Sequence, residues 1–283
     1  MKKNNAALYI VATPIGNLQD MSARAIEVLK SVACIAAEDT RHSASLLQQF
    51  NISTPTLSLH DYNERDRVER ILERLQQGES IALISDAGTP LISDPGYFLV
   101  KEAREAGIRI VPLPGPCAAI VALSAAGLPT DKFIFEGFLP AKTKARVDRL
   151  TFLANETRTM IFYEAPHRIL DLLEDMQKVF GDDRMVVIAR ELTKMFETIH
   201  SANLKELIAW VKSDSNQERG EMVVIVKGIE EASPIANAQI LLELLLKELP
   251  LKKAVEIAAQ VTNEKRNELY EMGLQIKNAK EGG

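Results

Sequence analysis

Apolar and polar positions come in alternating blocks along the first half of the chain. Short runs rich in Val, Ile, Leu and Ala lie at residues 8–13, 32–37, 54–59, 80–85 and 108–113. Between them, helical spacing covers 22–30, 43–50, 64–77 and 96–106, and a helix of small apolar residues follows at 117–126. Near-continuous apolar strands alternating with helices predict a mostly parallel sheet covered on both faces. The pattern changes after Gly127-Leu128-Pro129-Thr130. Strands are predicted at 132–138, 159–163, 185–189, 196–200 and 221–227, with helices at 144–154, 166–180 and 204–212. Some of these strands follow one another with no helix between, so the second half is expected to be a mixed sheet. Past Glu231-Ala232-Ser233-Pro234 only helical spacing remains, at 237–249, 251–260 and 264–272. The predicted fold class is α/β: two α/β domains, 1–127 and 128–233, and a helical extension, 234–283.

Composition narrows the function classes. A net charge of -5 argues against a chain coated in positive charge for non-specific nucleic-acid binding, while leaving room for a local basic face. Cys34 and Cys117 sit in apolar surroundings, and His42, His60, His167 and His200 are scattered, so no metal site is expected. Pro14 and Gly16 break the only apolar run near the N-terminus, and Glu243, Lys247 and Glu248 interrupt the leucine-rich stretch 240–249. Neither a signal peptide nor a membrane span is predicted, and the expected location is the cytoplasm.

Candidate chemistry collects where the strands end. The first five are followed by Thr13-Pro14-Ile15-Gly16-Asn17, Glu38-Asp39-Thr40-Arg41-His42, His60-Asp61-Tyr62-Asn63-Glu64, the loop from Ser85 to Gly96, and Pro114-Gly115-Pro116-Cys117. In a parallel sheet all five lie along one rim, where ligands of open α/β folds bind. The Ser85-Asp86-Ala87-Gly88-Thr89-Pro90-Leu91-Ile92-Ser93-Asp94-Pro95-Gly96 loop is long for a strand-to-helix connection, and its glycines let backbone approach a ligand. Each cluster also has a plainer reading. Glu38 and Asp39 could cap a helix beginning near Ser43, with Arg41 as a surface partner, and Asp94 could simply secure a turn. Neither a Gly-x-Gly-x-x-Gly fingerprint nor a Gly-Lys-Ser/Thr phosphate loop is present. In the second half, Phe162-Tyr163-Glu164-Ala165-Pro166-His167-Arg168 and Ala189-Arg190-Glu191-Leu192-Thr193-Lys194 repeat the pattern of strand then polar cluster. The run from Pro140 to Arg146, with Arg149, is locally basic, which suits a phosphate-binding surface.

Taken in order, these motifs resemble the tetrapyrrole-methylase superfamily of S-adenosylmethionine-dependent methyltransferases. The segments beginning at Thr13, Glu38, Ser85 and Pro114 carry the likeness, with FEGFLPAK from Phe135, FYEAPHR from Phe162 and ARELTK from Ala189. Members that act on small tetrapyrroles usually have a glycine-rich first turn and a Gly-Asp-Pro in the fourth-strand loop. Here Thr13-Pro14-Ile15-Gly16 and Ser85-Asp86-Ala87 stand instead, which resembles the branch that methylates a cytidine 2′-hydroxyl in the decoding region of 16S ribosomal RNA. The resemblance implies a methyl donor, S-adenosyl-L-methionine, in a cleft between two α/β domains, a homodimer, and the small ribosomal subunit as partner. By position, Ile15, Asp86, Gly88, Thr89, Cys117, Ala118 and Tyr163 would line the donor pocket.

A ribose hydroxyl is a weak nucleophile until a base takes its proton. Glu38, Asp39 and Glu164 are candidate bases, and Arg41 joins Asp39 as a candidate on the acceptor side of the catalytic cleft. Lys142, Lys144, Arg146, Arg168 and Lys194 are the candidate RNA contacts. Two rivals stand beside this reading: methylation of a small tetrapyrrole-like substrate, and a non-catalytic RNA-binding assembly factor.

Overall fold

The computed structural model describes residues 6–60, 64–230, 234–262 and 264–281. Asp61, Tyr62 and Asn63 of the third polar cluster, and the expected boundary at Ser233, lie outside the described residues. The chain forms two compact units, 1–228 and 229–283. Both sheets belong to the first.

The first sheet holds β1 (Ala7–Val11), β2 (Cys34–Ala37), β3 (Thr56–Ser58), β4 (Ile81–Ile84) and β5 (Arg109–Leu113) in the order β3-β2-β4-β1-β5. Each of its pairings is parallel. β2 and β4 are buried at every position, as strands covered on both faces must be. Their residues alternate between two cores. Cys34, Ala36, Ile81 and Leu83 pack with α3 (Glu64–Gln76) and α4 (Tyr97–Glu105). Ile35, Ala37, Ala82 and Ile84 pack with α1 (Ala23–Ser31) and α2 (Thr40–Gln49). Pro112 cannot donate to a ladder and is accommodated because β5 is an edge strand.

One helix starts earlier than expected. α2 begins at Thr40 rather than near Ser43, because the Asp39 carboxylate accepts the Arg41 amide at 2.8 Å and caps the first turn there. α5 (Ala118–Ala125), apolar around its circumference, closes the first half.

The second sheet holds β6 (Phe133–Phe138), β7 (Thr159–Glu164), β8 (Met185–Arg190), β9 (Thr198–Asn203) and β10 (Met222–Val226) in the order β6-β7-β10-β8-β9. β6 pairs with β7 in parallel and the remaining pairs are antiparallel, so the sheet is mixed as the sequence implies. One face packs on α6 (Thr143–Phe152), α7 (Ile169–Phe180) and α8 (Leu204–Ser213) through Met160, Phe162, Ile188 and Val224. The other face, with Ile161, Val187, Val223 and Ile225, packs against Ala119, Ala122 and Leu123 of α5. Register sets Met222 opposite both Glu164 and Arg190, so the polar clusters after β7 and β8 share one end of the sheet.

The second unit is three helices, α9 (Pro234–Glu248), α10 (Leu251–Thr262) and α11 (Arg266–Glu281), around Ala238, Leu242, Ala254, Val255, Ala258 and Leu269. α11 runs past its expected end at Met272. Gly273 does not stop it: a Cβ there would lie 2.5 Å from Leu251 Cδ1, so the glycine serves close helix packing. Among the described residues, no helix is long and apolar enough to cross a membrane.

Candidate active site between the two sheets

Four hydrogen bonds fix the rim of the first sheet. Thr13 N donates to Gly88 O at 2.9 Å and Gly88 N returns the bond to Thr13 O at 3.0 Å. The Thr13 hydroxyl, fully buried, donates to Ser85 O at 3.2 Å. The Thr89 hydroxyl donates to Pro116 O at 2.8 Å. The turns after β1, β4 and β5 are thereby joined. Two glycines make this geometry possible. Gly88 has φ +81, and a Cβ on Gly115 would lie 2.6 Å from Ala12 Cβ.

The second sheet is fastened to this rim at two points. The Tyr163 hydroxyl accepts the Ala119 amide in the first turn of α5 at 3.1 Å. Burial pushes this phenol above its ordinary pKa, with Cys117 adding to the shift. The loop from Glu191 to Lys194 lies against Gly16, where a Cβ would come 2.5 Å from Lys194 Cγ and 2.9 Å from Thr193 Oγ1. That loop holds Glu191 at φ +51 and Thr193 at φ +66, conformations that cost non-glycine residues energy and collect at functional sites.

Between these contacts lies a cavity of about 360 Å³, within the range of small-molecule sites. Ile15, Gly88, Thr89, Cys117 and Ala118 line it from the first half, and Tyr163 and Glu164 from the second. Asp86 is not among the lining residues. Its Oδ1 accepts the Asp39 amide at 3.1 Å, which holds the loops after β2 and β4 together. Asp94, which could have served only to secure a turn, also lines the cavity, as do Phe138, Met222 and Val223, which were not among the candidate site residues.

Glu164 is 3% exposed. Its Oε1 accepts the Ala165 amide at 2.8 Å and faces Arg168 Nε at 3.3 Å. Oε2 is buried with no hydrogen-bond partner among the described residues. Burial raises the pKa of this carboxyl, against the pull of Ala165, Arg168, Arg146 and His167. A buried acceptor without a partner, on a residue that lines a cavity, is suited to a ligand N–H or O–H.

The other candidates are placed differently. Glu38 does not line the cavity, and its Oε2 accepts from the Asp86 amide at 3.5 Å. Asp39 grips Arg41 through Oδ1 and Oδ2 at 3.3 and 3.1 Å, and its hydrogen bonds to the Arg41 side chain and amide hold its pKa down to about 2. Neither Asp39 nor Arg41 lines the cavity. Lys142 and Lys144 are exposed at the start of α6.

Arg146 must be corrected. It is 3% exposed, with Nη2 2.7 Å and Nε 2.9 Å from Asp175 Oδ2, so it ties α6 to α7 and presents no charge to solvent. Arg168 also turns inward, donating from Nη2 to Leu139 O at 2.9 Å and Pro140 O at 3.3 Å. Lys194 is held by Glu191 at 2.9 Å and Glu221 at 3.0 Å. A second, shallow concavity of about 470 Å³ runs along α2 and β3, lined by Thr40, Gln48, Asn51 and Thr54 among others.

Comparison with known proteins assigns the architecture. The family described as Tetrapyrrole (Corrin/Porphyrin) Methylases matches residues 7–208, and the RsmI C-terminal HTH domain matches 232–277. A protein of Escherichia coli O157:H7 named Ribosomal RNA small subunit methyltransferase I is 59% identical over 270 residues, covering 95% of this chain and 94% of its own. The chain belongs to the ribosomal RNA small subunit methyltransferase I family, a branch of the tetrapyrrole methylases. The Pseudomonas aeruginosa protein of the same name is also 59% identical, over 95% of this chain and 96% of its own.

Two solved structures share the tetrapyrrole-methylase fold. The cobalt-precorrin-4 methyltransferase CbiF has a TM-score of 0.57 at 17% identity, covering 78% of this chain and 94% of its own. Diphthine synthase has 0.59 at 13% identity, covering 78% and 90%. At such identities the likeness concerns the fold alone.

Proposed function

We propose that this methyltransferase moves a methyl group from S-adenosyl-L-methionine to the 2′-hydroxyl of a cytidine in the decoding region of 16S ribosomal RNA, acting on the assembled 30S subunit. The observation that carries the reading is the 59% identity, across 95% of the chain, to proteins named as methyltransferases of small-subunit ribosomal RNA. The ribose oxygen and the cytidine follow from the motif resemblance of Thr13-Pro14-Ile15-Gly16 and Ser85-Asp86-Ala87. We further propose a cytoplasmic homodimer.

The residues fit the donor. Glu164 lines the cavity, and its buried Oε2, without a hydrogen-bond partner among the described residues, is an acceptor for a donor N–H or O–H. Gly88, Cys117 and Ala118 bring backbone to the same space, and Ile15 supplies apolar contact. Bound S-adenosyl-L-methionine supplies an electrophilic methyl carbon on a cationic sulfur. The chain's own task is to hold the acceptor oxygen in line with that carbon and to exclude water, the source of much of the rate in displacement reactions. Asp86, Thr13 and Thr89 serve by fixing the loops. A cytidine must leave its stack to enter, and Lys142 and Lys144 hold neighbouring phosphates.

Transfer of labelled methyl to small subunits that lack the modification, followed by nucleoside mass spectrometry, tests the reading. The expected product is 2′-O-methylcytidine from the decoding region. Label on a base, or transfer to a small tetrapyrrole in place of RNA, contradicts it.

A further inference from the structure

Asp94 lines the cavity from the loop after β4. It is preceded by Ser93, at φ +67, and followed by Pro95 and by Gly96, at φ +119. Left-handed backbone at a serine costs on the order of 1–3 kcal/mol and persists where surroundings enforce it. β6 passes close to this segment, since a Cβ on Gly137 would lie 3.3 Å from Ser93 Oγ.

The neighbours of Asp94 come from three elements. The Ser85 hydroxyl, at the end of β4, donates to Gly88 O at 3.3 Å and favours the charged form of Asp94. The charges of Glu38, after β2, and Asp86, in its own loop, act on it, and Tyr163 of β7 lines the same cavity. Glu164 and Glu221 share the cavity. Burial, and then the charges of Glu38 and Asp86, push the Asp94 carboxyl up to about 6 against the pull of Ser85. An acid that titrates near the working pH suits proton transfer. The rivals are otherwise engaged. Asp39 is gripped by Arg41 and, like Glu38, does not line the cavity. The Glu164 side chain has no exposed surface, and its Oε1 is held by Ala165 and Arg168. Glu221 is paired with Lys194 at 3.0 Å.

We infer that Asp94 is the general base that takes the proton of the acceptor 2′-hydroxyl. The assignment rests on the functional reading above. As Asp94 removes the hydroxyl proton, the 2′-oxygen bonds to the methyl carbon and the carbon–sulfur bond breaks, leaving its electron pair on sulfur. The sulfonium becomes a neutral thioether, and protonated Asp94 returns its proton to water.

The test compares wild type, Asp94→Asn and Asp94→Glu in three measurements. These are single-turnover methyl transfer to small subunits between about pH 5 and 8, donor affinity by calorimetry, and carboxyl NMR of the ligand-free protein. Wild type should show a rate that rises with pH and levels above about 6, and a carboxyl resonance titrating at about 6. Asp94→Asn should lose both, with the rate down about 10²- to 10³-fold and donor affinity close to wild type. Asp94→Glu should regain part of the rate and the acid limb. A near-wild-type rate in Asp94→Asn, an acid limb that survives in it, or a matching loss of donor affinity in both variants overturns the assignment. If wild type itself methylates no ribose, the functional reading falls and takes this one with it.

Discussion

Tyr163 of β7 accepts the Ala119 amide of α5 at 3.1 Å, so one phenol oxygen from the second sheet caps a helix of the first half beside the cavity. Tyr163→Phe keeps the ring, with its edge-on contacts to Phe135 and Phe138, and removes only that acceptor. We expect a loss of about 1 kcal/mol in urea unfolding together with weaker donor binding. Unchanged donor affinity would separate the hydrogen bond from the site.

Gly16 should tolerate no side chain. A Cβ there meets Lys194 Cγ at 2.5 Å and Leu192 O at 3.0 Å, and the backbone oxygen cannot rotate away. Gly16→Ala should force the β1 turn and the Glu191–Lys194 loop apart at a cost of about 1–3 kcal/mol. Calorimetric donor titration should register the change as reduced affinity.

The basic run divides into two behaviours. Arg146→Ala removes one of the two cations bonded to buried Asp175, leaving Lys178 at 2.9 Å, and should destabilise the first unit by about 1–3 kcal/mol. Burial alone would raise the Asp175 carboxyl, and hydrogen bonds from Lys178 and Arg146 hold it below its usual range. The double variant Lys142→Ala/Lys144→Ala should leave stability unchanged. Its RNA affinity should fall, with the slope of log K against log salt shallower by about 1–2. An unchanged slope would remove these lysines from the RNA surface.

Asp94 predicts an unusual pH dependence of stability. Its carboxyl is raised from 3.8 to about 6 in the folded chain. Below the lower value the group is neutral in both states. As pH rises through that window the unfolded chain ionises first, so folding loses stability, and above about 6 the full cost applies. Full burial would make that cost about 3 kcal/mol, and partial solvent access reduces it to about 1–2 kcal/mol. Asp94→Asn should accordingly stabilise the ligand-free protein at neutral pH and have little effect below the window. Equal effects at both ends of the pH range would count against the raised value.

Local pattern made the sheets legible. Ile81 to Ile84 announce a strand covered on both faces, and the polar clusters after β1, β4, β5 and β7 reach one cavity. What stayed hidden depends on partners distant in sequence. Arg146 reads like its exposed neighbours until α7 brings Asp175 against it. Met222 and Val223 carry no polar signal, and only the β10 register places them at the cavity end. Asp94 stays open in the sequence between a ligand-loop carboxylate and a turn residue, because the cavity that it lines is assembled from segments distant in sequence.

The claim that the inter-sheet cavity holds the methyl donor is tested most directly by photocrosslinking radiolabelled S-adenosyl-L-methionine to the intact chain and mapping the labelled peptides. Label should fall in peptides containing Gly88-Thr89, Cys117-Ala118 or Tyr163-Glu164, and Glu164→Gln should lower its yield. Label concentrated along α2 and β3, in the concavity beside Thr40 and Thr54, would contradict the account.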